Sequence, residues 1–92
     1  MLEKHLDKLR GIPDKELRMV VDKAIEEFPE RLREIRVNAN MVLKDTARGT
    51  GIPWQTISAY ERGESLPNFV NLRLLASYYG VTVDWLMGGE WN

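Results

Sequence analysis

The sequence predicts an all-α fold, a set of short helices preceded by an N-terminal helical extension. Apolar residues recur at spacings of three and four along most of the chain, which is the period of a helix face. Gly, Pro and Asn punctuate those stretches at intervals that suit short helices. The β-branched run Val81-Thr82-Val83 is too short, and too close to helical segments, to pair as a strand. With 92 residues, 43% of them hydrophobic, the chain can build one small core.

Leu2, Leu6 and Leu9 form a stripe suited to a short amphipathic helix, which Gly11-Ile12-Pro13 breaks. Asp14 is a good N-cap for a second helix, because its carboxylate can accept from the first free amides. In that helix Leu17, Val21, Ala24 and Phe28 repeat every three or four residues, and Val20 and Ile25 widen the apolar face. Such a stripe must bury, either on the rest of the chain or against a second copy. Phe28-Pro29 predicts a break or kink. The next helix opens with Pro29 in its first turn and carries Leu32, Ile35, Arg36 and Ala39 on one face. The boundary divides the chain into an extension, residues 1–28, and a domain, residues 29–92.

Asn38 to Asn40 end that helix, and Asn40 is placed to cap another from about Met41 to Gly49. Gly49 and Gly51, two apart, weaken its end and require a tight turn. Pro53 suits the first turn of a helix that runs to Arg62 and stops at Gly63. Leu66-Pro67-Asn68 introduces a helix to Tyr79 with Phe69, Leu72, Leu75, Ala76 and Tyr79 inward, closed by Gly80. Thr82 caps a last short helix bearing Trp85 and Leu86, ended by Gly88-Gly89.

Composition narrows the chemistry. The chain has no Cys and a single His, His5, so no disulfide, thiolate nucleophile or Cys-bound zinc is expected, and no metal or cofactor is called for. Asp45, Glu61 and Asp84 are scattered, and no Ser-His-Asp set or phosphate-cradling loop stands among them, so an enzyme is not expected. Neither a signal peptide nor a membrane-length apolar run is present, which predicts a cytoplasmic protein. Thirteen basic against fourteen acidic residues leave a net charge of −1. Between residues 31 and 73, however, seven basic residues face four acidic ones, and Arg31, Arg33, Lys44, Arg48 and Arg62 there are candidates for phosphate contact. Charges of this kind are also what ordinary solvated helix faces carry.

Function concentrates in Ala47, Gly51 and Ile57, whose spacing describes a helix-turn-helix. The small residue lets two helices cross closely, the glycine supplies a positive φ, and the isoleucine plugs the shared core. At about 100° per residue, an inward Ile57 puts Gln55, Ser58, Ala59 and Arg62 on the opposite arc, with Tyr60 and Glu61 falling toward the core. Gln can bond adenine bidentately, Ala can meet a thymine methyl, and Ser or Arg can reach bases or phosphates in a major groove.

The run Gly51-Ile52-Pro53-Trp54-Gln55-Thr56-Ile57-Ser58-Ala59-Tyr60-Glu61-Arg62-Gly63 resembles the recognition segment of the Cro and phage-repressor type helix-turn-helix family, also called XRE. The downstream residues from Leu66-Pro67-Asn68 to Gly88-Gly89 resemble that family's fourth and fifth helices, so the likeness covers about residues 30–89. It implies a five-helix, lambda-repressor-like domain that binds operator DNA as a two-fold dimer, its third helix in the major groove. By the same resemblance Trp54, Gln55, Thr56, Ser58 and Ala59 fall where bases or adjacent phosphates are read, and Arg62 where the backbone is held. Arg36 and Glu61 fall where the family joins an arginine of helix 1 to a glutamate beneath the recognition helix.

Two positions depart from the family pattern. Val42 and Leu43 replace the usual Ser-Gln pair at the start of the second helix, which removes a contact to DNA. Pro53 stands where a capping Ser or Thr is common. Trp54 suits either a DNA contact or packing on the second helix. The expected function is a sequence-specific regulator, a repressor, acting on double-stranded DNA as a homodimer. The alternative is a protein-interaction module on the same scaffold, engaging a regulatory partner through residues 1–28.

Overall fold

The computed structural model describes residues 14–90, so the expected helix at residues 2–9 lies outside the described residues. Five helices follow one another: α1 (Lys15–Asn38), α2 (Leu43–Thr50), α3 (Trp54–Glu61), α4 (Phe69–Tyr79) and α5 (Val83–Leu86). No strand occurs among the described residues.

Asp14 caps α1 as its sequence suggests, accepting from the amides of Glu16 at 2.8 Å and Leu17 at 3.2 Å. Of the break or kink expected at Phe28-Pro29, the break does not occur, and α1 runs through Pro29 for 24 residues. An internal proline removes one helical hydrogen bond and costs about 3 kcal/mol in a free helix. Packing offsets that cost here. Phe28 and Leu32, on either side of the proline, are buried, and the Pro29 ring lies against the turn at Gly63, 3.5 Å from where a Cβ there would sit. The proline joins α1 to the end of α3 instead of ending the helix.

Asn40 does not cap α2. It takes a left-handed conformation, φ 56°, and ends α1 while the Met41 amide donates back to the Arg36 carbonyl. Asn tolerates that region better than most residues. The first turn of α2 is held by Asp45, whose carboxylate accepts from the Val42 amide at 2.9 Å. Gly51, φ 78°, closes the helix with its amide on the Ala47 carbonyl at 2.8 Å. Thr50 adds a clasp, donating to the Thr46 carbonyl and accepting from the Ile52 amide. The two helices are therefore joined by three residues, Gly51 to Pro53.

Asn68 caps α4 through the Asn71 amide, and Thr82 caps α5 through the Trp85 amide. Leu75 and Ala76 are buried and Leu72 and Tyr79 pack on the core, but Phe69, expected inward, is 83% exposed. It stands at the first position of α4 and at the edge of the apolar arc, where the core no longer reaches. Phe28, Leu32, Ile52, Ile57, Tyr60, Leu75, Ala76 and Leu86 make one cluster drawing on all the helices except α2, which adds the buried Thr46 and packs Leu43 and Ala47 against it.

Candidate nucleic-acid interface

The orientation of α3 is set by what its inner face holds. Ile57 is fully buried, and Tyr60 lies edge-on to Phe28 with 6.4 Å between ring centroids. The Tyr60 hydroxyl accepts from the Asn71 side chain at 3.0 Å, tying α3 to α4. Glu61, with a side chain 5% exposed, receives two hydrogen bonds from Arg36, Nε to Oε2 at 2.7 Å and Nη2 to Oε1 at 2.9 Å. Arg36 also donates Nη1 to the Met41 carbonyl at 2.8 Å, so one guanidinium joins α1, the loop before α2, and α3. The hydrogen bond to Glu61 and the attraction of its charge raise the Arg36 pKa above its ordinary value, against the opposing effect of burial. Fork-to-fork geometry of this kind fixes direction as well as distance.

With that face anchored, the opposite arc is open. Gln55 and Arg62 are exposed, and Ser58, Ala59 and Thr56 are partly so. Trp54, at the start of the helix, is 42% exposed. Arg62 pairs with Glu64 at 2.9 Å, an exposed contact that a phosphate can displace. Lys44 and Arg48 lie four residues apart on α2, both exposed, and Arg48 sits 3.9 Å from Asp45. Pro53 offers α3 no side-chain acceptor, and its carbonyl instead takes the amides of Thr56 and Ile57. Val42 is exposed at the position where the helix-turn-helix pattern usually has a polar contact.

One basic candidate is committed elsewhere. Arg31 donates to the carbonyls of Trp85 and Gly89, stacks 5.0 Å from the Trp85 ring centroid and lies 3.3 Å from Glu27. It clamps the end of α5 to α1 rather than serving phosphate. The signal that could have found it was Glu27, four residues earlier on the same helix. Sequence reasoning also missed the Thr46 and Tyr79 hydroxyls, 2.6 Å apart, and the close approach of Tyr78 to Gly49. Among the described residues no three His, Cys, Asp or Glu side chains converge as metal ligands, and no helix is long and apolar enough to cross a membrane.

Two short helices at a three-residue turn, the second with its polar arc outward, define a helix-turn-helix. A family model described as helix-turn-helix matches residues 32–86, and the chain belongs to that family, of the Cro and phage-repressor or XRE type. It is similar to the HTH-type transcriptional regulator DdrOP3 of Deinococcus deserti, 43% identical over 65% of this chain and 46% of the relative. It is similar also to the HTH-type transcriptional activator BcrR of Enterococcus faecalis, 31% identical over 70% of this chain and 31% of the relative. A third relative, the cryptic phage CTXphi transcriptional repressor RstR of Vibrio cholerae, is 32% identical over 61% of this chain and 50% of its own length. The chain thus spans about a third to a half of the curated relatives it matches. No solved structure matches it significantly.

Proposed function

We propose that this chain is a sequence-specific regulator of transcription that binds double-stranded operator DNA as a homodimer, with α3 in the major groove. The observation that carries the reading is the arc of Gln55, Ser58, Ala59 and Arg62, exposed on a helix whose other face is locked by Ile57, Tyr60 and Glu61. Base reading requires side chains held in a fixed frame, and the Arg36–Glu61 fork supplies that frame. Lys44, Arg48 and Arg62 hold phosphates, while Gln55, Ser58 and Ala59, with Trp54 and Thr56 beside them, meet base edges or the adjoining backbone. The domain from residue 29 onward carries this activity in the cytoplasm, where a prokaryotic or phage operator lies. Repression is the outcome that needs least, because an occupied operator overlapping a promoter excludes polymerase without any further surface.

A second reading, a protein-interaction module that has given up DNA, draws on the exposed apolar side chains of Val42, Trp54 and Phe69 and on a regulatory partner held through residues 1–28. Selection from random duplex DNA separates the two. A regulator enriches a discrete, two-fold-related site, and Gln55→Ala lowers preference for that site by about 1–3 kcal/mol, the value of a lost bidentate base contact. Arg62→Ala weakens cognate and scrambled duplexes alike. A pool that shows no enrichment overturns the DNA reading and leaves the interaction module.

A further inference from the structure

The apolar stripe of α1 does not stop where the domain stops. Taking Ala24 as the origin and about 100° per residue, Leu17, Val21, Phe28, Leu32 and Ile35 fall within a narrow arc, flanked by Val20 and Ile25. Phe28 and Leu32 are buried against the domain, and Gly88 lies against the Lys23 carbonyl. Toward the N-terminus the same face opens to solvent, with Leu17 53%, Val20 64% and Ile25 42% exposed. Single exposed apolar residues need no explanation, but a continuous stripe leaving a core does.

We infer that residues 15–25 of α1 pair with the same segment of a second copy, antiparallel, about a two-fold axis near Val20. The inference rests on the dimeric reading above and assigns its seam. Charge pattern selects the occupant. One edge of the stripe carries Glu16, Lys23 and Glu27, the last 4.0 Å from Lys23 and 3.3 Å from Arg31, and the other carries Arg18 and Asp22. An antiparallel two-fold pair sets like edge against like edge with direction reversed. With Val20 on the axis, Arg18 faces Asp22 of the second copy and Asp22 faces its Arg18. Glu16 and Lys23 oppose one another within a residue of the same register, and Val20 meets its own copy at the centre. Arg18, Asp22, Glu16 and Lys23 therefore each meet an opposite charge, while Glu27 stays paired with Arg31 of its own chain.

A parallel pair also matches charges, but its geometry fails. The face that meets a second copy before residue 25 meets its own α3 and α5 after Phe28, so a parallel partner helix would run into them. Antiparallel pairing confines the overlap to about eleven residues, roughly 16 Å of helix, and carries the two domains to opposite ends. So short a seam makes a dimer that dissociates readily and that a two-fold operator stabilises by binding both halves.

Sedimentation equilibrium of the full chain without DNA tests the seam independently of operator binding. The expected result is a reversible dimer, with Val20→Glu raising its dissociation constant at least about tenfold while leaving helical circular dichroism unchanged, since Val20 is exposed. Arg18→Glu alone and Asp22→Arg alone each weaken self-association about fivefold or more, because each homodimer then holds two like-charge contacts. Mixing the Arg18→Glu chain with the Asp22→Arg chain restores dimer as a heterodimer, in which both contacts are again opposite in sign. A parallel seam would give no such rescue. A chain that stays monomeric across the micromolar range overturns the inference, and with it the seam passes to residues 1–13 of the same chain or to an unlike partner. A dimer indifferent to Val20→Glu overturns it too, and an operator bound normally by either result leaves the DNA reading standing.

Discussion

Gly49 shows how one missing side chain can serve packing rather than conformation. A Cβ built there falls 2.1 Å from Tyr78 Cε1, well inside contact distance, and the Tyr78 hydroxyl beyond it donates to the Asp45 carbonyl at 3.4 Å. Gly49 is thus where α4 approaches α2. Alanine would ordinarily gain about 1 kcal/mol over glycine inside a helix. Here Gly49→Ala is expected to destabilise by about 1–3 kcal/mol in urea titrations, the usual range for an overfilled contact. In a Tyr78→Ala background the sign reverses and the alanine stabilises, which isolates the ring as the cause. Tyr79 gives a pH dependence. Burial raises its pKa above the ordinary 10.0, against the opposing pull of its hydrogen bond to Thr46. A group that holds its proton more tightly when folded contributes stability below the unfolded pKa and loses it as pH rises toward the folded value. Stability should therefore fall above about pH 10, and Tyr79→Phe should flatten that fall while costing about 1 kcal/mol at neutral pH through the lost hydrogen bond. Thermal unfolding across pH 7 to about 11, with phenolate absorbance as a monitor, measures both.

Among the helices, α3 depends on a contact that its own eight residues cannot supply. Arg36 stands on α1, 25 positions before Glu61, and reaches it with both ends of its fork. Removing the arginine leaves a carboxylate 5% exposed without a cation, so Arg36→Ala is expected to cost about 3–5 kcal/mol in chemical denaturation. Glu61→Gln leaves the Arg36 guanidinium without its anion, but that group is the more exposed of the two at 14%, keeps the Met41 carbonyl and gains an amide carbonyl as acceptor, so this variant should cost less. If the two variants unfold at the same denaturant concentration, the charge of Glu61 has no special standing. That Arg36 and Glu61 belong together was legible only through the family resemblance, since nothing in periodicity links positions so far apart. The caps Asp14 and Thr82 were legible locally, by residue type and by the apolar periodicity that follows, and Leu66-Pro67-Asn68 marked the start of α4 without singling out Asn68 as its cap. Pro29 as a helix start and Asn40 as a cap of α2 mislead for one reason: both are local signals overruled by distant contacts. Phe28 and Leu32 hold the helix through the proline, and the asparagine's left-handed backbone serves the end of α1 before it can serve the start of α2. The turn glycine Gly51 and the inward Ile57 were readable because a tight turn between crossing helices leaves few alternatives. The commitment of Arg31 to α5 was not, since its acceptors are backbone carbonyls whose position only the folded chain defines.

At the scale of the whole molecule, a chain with a net charge of −1 cannot rely on its overall field to find DNA in the way the proposed function requires. Attraction must come from a few cations near the reading helix. Arg36 is consumed by Glu61 and Arg31 by Trp85, Gly89 and Glu27, which leaves Lys44, Arg48 and Arg62 as the basic side chains of the helix-turn-helix itself that face solvent. Each neutralised phosphate contributes about 0.9 to the slope of log affinity against log salt, so a dimer using these three per half-site should show a slope of about −5. Arg48 and Arg62 already have acidic neighbours, Asp45 and Glu64, which must release them for phosphate and so moderate the gain. Arg48→Ala should reduce the magnitude of the slope by about 2 in a dimer, one phosphate contact for each half-site, while leaving the preferred sequence unchanged. Arg31→Ala should leave the slope alone and lower stability instead, because its partners are the α5 carbonyls and not DNA. Filter binding or fluorescence anisotropy from 50 to 300 mM salt, on the selected duplex and on a scrambled one, distinguishes these cases. A slope near zero on a tightly held duplex would overturn groove docking, whereas a slope near −10 would require cations beyond α2 and α3, such as Arg33 and Arg73, to reach the backbone as well.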